Sequence, residues 1–207
     1  GNVQEVEEGI GTDHRISNKF LRAGVGFGGA CFPKDTKAIV KTAEENGYDF
    51  QIVDSVVKVN EQQKRSLVDK LKQVLPGLEG RTISLLGLSF KPNTDDMREA
   101  PSRTVVKQLL EAGAEVKAYD PIAIEEAQEI FGEQITYSED AYDAIEDTEA
   151  VILVTEWDEF QELDLDRVKD LLQKPIFIDG RNCYELDEME EKGFIYYSVG
   201  RPAVDQD

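Results

Sequence analysis

The sequence predicts an α/β protein: a helical region followed by a doubly wound, mostly parallel sheet domain. Three observations carry this. From residue 81 onward, short apolar runs alternate with helical patterns of eight to eleven residues or fewer, the rhythm of βαβ units. Two of the runs, Ile83-Ser84-Leu85-Leu86 and Val151-Ile152-Leu153-Val154, lack polar alternation, as strands buried on both faces do. Before residue 76 the apolar residues recur instead at helical spacing. Pro76-Gly77 and Gly80 punctuate the change, so the chain divides into a helical region, 1–78, and a Rossmann-like α/β domain, 79–207.

In order along the chain, residues 1–9 read as a short helix capped by Asn2, and Gly11 to Ile16 as a loop in which His14 is a surface residue. The opening, without methionine or a preceding strand, reads as the middle of a protein. Next comes Gly24-Val25-Gly26-Phe27-Gly28-Gly29, succeeded at once by Ala30-Cys31-Phe32-Pro33-Lys34-Asp35. Four glycines in six positions open backbone conformations closed to other residues and bring main-chain amides close to a ligand. A helix is expected after them, with Pro33 at its first position, Asp35 in its first turn, and Asn46-Gly47 at its end. Residues 50–75 place Ile52, Val53, Val56, Val57, Leu67, Leu71 and Leu75 at helical spacings. The polar patch Asn60 to Arg65 interrupts that stripe without a breaker. One long helix of this kind serves as a spine between domains or subunits. Strands are then expected at 82–88, 115–119, 134–137, 150–155, 176–179 and 194–197. Helices fit between them at 102–112, 124–131, 140–145, 165–172 and 185–191.

Composition narrows the function classes. Forty-three acidic against 23 basic residues give a formal net charge of −20, spread along the whole chain, which disfavours nucleic acid and anionic membranes as partners. Adaptation to high salt is one cause of such a surface, and an acidic mesophile protein is the other. No apolar run reaches membrane-spanning length. Cys31 and Cys183 show no metal-ligand spacing and no disulfide framework, so no metal is expected, and a reducing cytoplasm fits. His14, the one histidine, leaves no material for a histidine-based triad.

Two readings of Cys31 stand level on the residues alone. Just outside a helix N-terminus and close to Lys34, it is built as a nucleophile, because both features favour thiolate over a thiol of free pKa about 8.5. A small buried hydrophobe is the commoner fate of a free cysteine. The glycine run matches G-x-G-x-x-G by letter, but no strand precedes it and Cys31-Phe32-Pro33 breaks the pattern after it, so it is not a dinucleotide fingerprint. After the first strand of the sheet only Gly87 stands, so none occurs there either. The strand ends carry Lys91 and Arg98, Asp120, Glu156 and Arg181; each taken singly reads as a solvated loop charge, but their convergence on one edge of the sheet favours an anion-binding cleft.

The segment from Gly26 to Asp35 resembles the active-site motif of the UDP-glucose/GDP-mannose dehydrogenase family, and Phe27 and Phe32 fit its UDP-glucose branch. Phe90-Lys91, Asp96-Met97-Arg98-Glu99, Tyr119-Asp120-Pro121, Thr155-Glu156-Trp157 and Asp179-Gly180-Arg181 are similar to that family's UDP-binding domain, in family order. The resemblance implies roughly the C-terminal half of an NAD-dependent enzyme that oxidises UDP-glucose to UDP-glucuronate. Two hydrides leave C6, and Cys31 forms first a thiohemiacetal and then a thioester, with Asp35 ordering or activating water. It implies that Arg22 to Gly28, including Gly24, Gly26 and Phe27, wrap the substrate. Phe20, Phe90, Lys91 and Arg181 would touch it, and Arg15 would reach the substrate of the other subunit in a homodimer built on the helical region. Lys34 and Arg98 would meet NAD, held mainly by a preceding domain. Two rivals stand beside it: a UDP-sugar-binding and dimerisation module without activity of its own, and a related dehydrogenase acting on GDP-mannose or UDP-N-acetylmannosamine. A cysteine hydrolase or transferase unrelated to NAD would need a general base near Cys31, and His14 has no supporting pattern.

Overall fold

The structure, a computed structural model, describes residues 1–205. Its sheet contains β1 (Thr82–Leu86), β2 (Glu115–Tyr119), β3 (Thr136–Tyr137), β4 (Ala150–Leu153), β5 (Ile176–Asp179) and β6 (Ile195–Ser198) in the order β3-β2-β1-β4-β5-β6. Every pairing between these strands is parallel, with Ile83 of β1 opposite Val116 of β2 and Ala150 of β4. The one antiparallel addition among the described residues is a bridge from Tyr196 to Val204. This is the strand order of two mononucleotide-binding halves, and it reverses between β1 and β4, where ligands enter such sheets.

Both faces of the sheet are covered, which explains the unbroken apolar runs. Ala150, Ile152, Ile176 and Ile178 point to a core shared with α4 (Pro101–Glu111) and α5 (Ile124–Phe131). Val151, Leu153 and Phe177 point to the opposite core, with α6 (Ala141–Ile145), α8 (Leu165–Leu171) and α9 (Leu186–Glu191). Period-two alternation thus runs between two cores instead of between core and water.

Several boundaries differ from the sequence reading. β1 ends at Leu86 and β4 at Leu153, each two residues short of expectation, while β3 keeps two residues of an expected four. At β1 the cause is Gly87, whose φ of 90° turns the chain, and Asp120, whose carboxylate rather than a strand takes the amides of Leu88 and Ser89. A single turn, α7 (Asp158–Gln161), escaped the sequence reading; it forms because Phe160 is fully buried and its amide bonds back to the Trp157 carbonyl.

The helical region begins with α1 (Val3–Gly11), where the Asn2 side chain accepts from the Gln4 amide at 3.0 Å. Helix α2 (Cys31–Glu45) starts at Cys31 itself, not after it, with Ala30 as its cap. Pro33 therefore stands third and Asp35 fifth, outside the first turn. A proline there removes no helical hydrogen bond, since the first amides of a helix have no partner within it. Helix α3 (Gln51–Val74) is continuous across the polar patch, 24 residues and about 36 Å long. Its second half buries Leu67, Val68 and Leu71 completely against the sheet core, each contributing about 1.5–3 kcal/mol. Its first half leaves Ile52, Val56 and Val59 exposed, so the helix is anchored at its C-terminal end.

Candidate active site

The carboxyl ends of β1 and β5, the glycine loop and the first half of α3 enclose a cleft of about 1050 Å³. Phe20, Arg22, Gly24, Gly26, Phe27 and Gly28 line it from the loop. Ile52, Val56, Val59, Asn60 and Gln63 line it from α3, and Phe90, Lys91 and Arg181 from the sheet edge. Of the charges expected to converge on this edge, Lys91 and Arg181 line the cleft, whereas Arg98, Asp120 and Glu156 do not.

Arg181 is aimed from beneath. Asp179, fully buried at the end of β5, accepts the Arg181 amide at 2.7 Å, the Cys183 amide at 2.7 Å and the Tyr196 hydroxyl at 2.7 Å. Arg201, itself buried, donates to the same Tyr196 hydroxyl and to Ser198, so the carboxylate sits inside a hydrogen-bonded frame. The Arg181 guanidinium pairs with Glu156 and lies against Gly24, where a Cβ would collide with its Nη1. Gly24 is thus a close-approach glycine. Lys91 rests 5.4 Å over the Phe90 ring and, among the described residues, makes no ion pair.

Asp120, at the end of β2, decides what the sheet cannot hold. One carboxylate oxygen accepts the amides of Leu88 at 2.7 Å and Ser89 at 3.1 Å and the Trp157 indole at 3.2 Å. The other accepts the amides of Ile122 at 3.0 Å and Ala123 at 2.8 Å. In a dinucleotide-binding sheet the amides after the first strand face a pyrophosphate. Here an internal carboxylate has taken them. The residues of this sheet do not fit NAD at that crevice.

Cys31 is exposed, which removes the core reading. It does not line the cleft, but Gly28 before it and Phe32 after it do. The Phe27 and Phe32 rings meet edge to face, with centroids 5.9 Å apart. Asp35 comes one turn along α2, on the same side as Cys31. Its carboxylate pairs with Lys34 at 2.9 Å in an exposed position. That hydrogen bond raises the Lys34 pKa, with a smaller contribution from the Cys31 charge. Arg98 is likewise raised chiefly by its pairing with Asp96, and again the Cys31 charge adds to it. Lys34 and Arg98 thus lie within electrostatic reach of the sulfur, each already held by a carboxylate. Arg15 lies outside the cleft, exposed and clamped by Asp13 at 2.6 Å.

Asn60, Gln63 and Lys64 were legible in the sequence only as an interruption. The signal was their spacing. Positions 60, 63, 64, 67, 68 and 71 form one helical stripe, so its polar members face the same interior as Leu67 and Leu71. Polar side chains at interior positions must have partners. Lys64 finds Glu61 at 2.9 Å and Glu99 at 3.7 Å.

The two cysteines differ in a way that labelling reads out. Burial, reinforced by the charges of Asp179 and Glu156, pushes the Cys183 thiol well above its ordinary range. Iodoacetamide at pH 8 is expected to modify the native chain once, at Cys31, and Cys183 only after unfolding. Peptide mass mapping showing early modification of Cys183 would refute this assignment.

Comparison with known proteins agrees with this architecture. The central-domain model of the UDP-glucose/GDP-mannose dehydrogenase family matches residues 1–62, and its UDP-binding-domain model matches residues 84–186. UDP-glucose 6-dehydrogenase TuaD of Bacillus subtilis (strain 168) is 52% identical over 203 residues, covering 98% of this chain and 44% of that protein. The UDP-glucose 6-dehydrogenase of Rhizobium meliloti (strain 1021) is 46% identical over 202 residues, covering 97% of this chain and 46% of that one. A solved UDP-glucose dehydrogenase from the hyperthermophilic archaeon Pyrobaculum islandicum matches with a TM-score of 0.84 at 38% identity, over 96% of this chain and 43% of its own. The chain spans about half the length of the curated relatives it matches. With both family models in chain order over one cleft, the chain belongs to the UDP-glucose/GDP-mannose dehydrogenase family.

Proposed function

We propose that this chain is the substrate-holding, cysteine-bearing part of an NAD-dependent UDP-glucose 6-dehydrogenase, which converts UDP-glucose to UDP-glucuronate. The observation that carries the reading is the cleft. It joins three cations, Arg22, Lys91 and Arg181, to a glycine loop that leads within three residues to the exposed Cys31. Its volume of about 1050 Å³ suits a nucleotide sugar. Arg181 and Lys91 neutralise the diphosphate, Arg181 as a planar fork and Lys91 as a point charge. Phe20, Phe27 and Phe90 give apolar walls, and the loop turns the sugar toward α2.

The chemistry assigned to this chain lies at C6. Once the alcohol has become an aldehyde, Cys31 Sγ adds to the carbonyl carbon and the oxygen takes a proton, giving a thiohemiacetal. Loss of hydride from that carbon, together with the proton from its oxygen, leaves a thioester. Water then attacks the thioester carbonyl, the C–S bond breaks, and the thiol and the uronate separate. Asp35, one turn from Cys31, orders that water or accepts its proton. NAD supplies the hydride acceptance, a task for which the Asp120-filled crevice has no room. That crevice also favours a second reading: the chain by itself binds UDP-sugar and does not oxidise it. The exposed apolar side chains Val6, Ile10, Ile39 and Ile52 on α1, α2 and α3 support a homodimer built on the helical region. The two free cysteines suit a reducing compartment such as the cytoplasm, and no helix among the described residues is long and apolar enough to cross a membrane.

Calorimetry tests the reading directly. UDP-glucose titrated into the chain is expected to release binding heat, and NAD to release none. Tight NAD binding without UDP-glucose binding would overturn both the site and the reading of the glycine run.

A further inference from the structure

We propose that Asn60 is the positioning residue of the sugar side of the cleft, fixing the glycine loop in the form that an intact nucleotide sugar, but not a bare nucleotide, requires. The inference rests on the reading of the cleft as a UDP-sugar site.

Asn60 is only 7% exposed, an uncommon place for an amide side chain. Its Oδ1 accepts the Phe27 amide at 2.7 Å, and its Nδ2 donates to the Phe27 carbonyl at 3.0 Å. Both backbone groups of one loop residue are thus gripped by one side chain, which fixes the orientation of the flanking peptides. The side-chain amide has one workable orientation, because turning it over would set NH₂ against N–H. Gly26 completes the clasp. At φ 89° it occupies a left-handed conformation, and a Cβ there would stand 2.7 Å from Asn60 Oδ1. One turn along α3, Gln63 donates to the Gly24 carbonyl at 2.7 Å.

These contacts divide the loop into used and free groups. The polar groups of Phe27 and the Gly24 carbonyl are satisfied by α3. Among the described residues the amides of Gly26 and Gly28, which line the cleft, have no hydrogen-bond partner. They remain for a ligand. Two of the three cleft cations, Lys91 and Arg181, stand across the cleft on the sheet edge and Arg22 stands before the glycines, whereas from Gly24 the loop runs on through Gly29 and Ala30 to Cys31. A sugar whose C6 must reach Cys31 therefore meets the loop, and a nucleotide without sugar does not need it. Loosening the loop raises the ordering cost of binding the sugar alone.

The test compares UDP with UDP-glucose by calorimetry on the chain. Asn60→Ala is expected to weaken UDP-glucose binding about tenfold and UDP binding less than about twofold, a selectivity that general loss of structure would not produce. The Phe27 amide should exchange with solvent more than about tenfold faster in the variant. If Asn60→Ala does not fold cooperatively, Asn60→Asp provides the same comparison. It keeps an acceptor for the Phe27 amide but sets a carboxylate oxygen against the Phe27 carbonyl. Equal losses for both ligands, no loss, or equal affinity of the native chain for the two would overturn the positioning role. Failure of the native chain to bind either ligand would instead strike down the UDP-sugar reading, and this inference with it.

Discussion

Asp120→Ala is expected to lower the unfolding free energy by about 3–5 kcal/mol, a large share of what holds a domain folded. The carboxylate is 1% exposed and is the common acceptor for the ends of three strands. It receives Leu88 and Ser89 after β1, Ile122 and Ala123 after β2, and the Trp157 indole after β4. Alanine would leave these donors without a partner and water without easy access, and each unsatisfied buried donor costs about 1–3 kcal/mol. Asp120→Asn should cost less, since an amide oxygen can still serve one cluster while its NH₂ opposes the other. Urea unfolding monitored by Trp157 fluorescence measures both. A midpoint shift equivalent to less than about 1 kcal/mol for Asp120→Ala would mean that the loop finds other acceptors, and that Asp120 is not what fills this crevice. Even where the variant folds, Phe90 and Lys91 sit one and two residues beyond Ser89, so UDP affinity should fall with stability.

Cys31→Ser carries the largest expected effect on chemistry. In an enzyme that contains this chain and turns over UDP-glucose, uronate formation should fall by at least about a thousandfold. A serine hydroxyl is not ionised near neutral pH and is a weak nucleophile without an activating base. The one histidine, His14, is exposed on the α1–α2 connection and, among the described residues, pairs only with Asp13, so it provides no such base. UDP-glucose affinity should change little, because Cys31 does not line the cleft. Rapid quench with product analysis separates the two quantities. Uronate formation near the native rate would remove Cys31 from the covalent role, whereas a parallel loss of binding would reassign it to the cleft wall.

Much of the fold was legible because it rests on local patterning. A sheet buried on both faces demands unbroken apolar strands, and Ile83 to Leu86 and Val151 to Val154 supply them. The helices between them declare themselves by spacing and by their stops, as Gly113 after α4 does at φ 79°. Strand ends were less legible, since they depend on which group takes the next amide. At β1 that group is Asp120, 32 residues from Leu88.

The site divides along the same line. The order Gly26 to Asp35 by itself marked an unusual backbone beside a cysteine, and the family resemblance came from that order. Whether Cys31 was core or surface could not be read from its neighbours, because burial is a property of the packed chain. The topology of a parallel sheet already brought Lys91 and Arg181, 90 positions apart, to one edge, but the sequence could not show that Arg15 stands outside the cleft they line, in the clasp of Asp13. The polar patch of α3 shows the limit most clearly. Its spacing alone aimed Asn60, Gln63 and Lys64 inward, but apart from Glu61, which Lys64 meets on its own helix, their partners lie 33, 39 and 35 residues away at Phe27, Gly24 and Glu99. Periodicity determines which way a side chain faces along its own helix; only tertiary packing decides what it meets there.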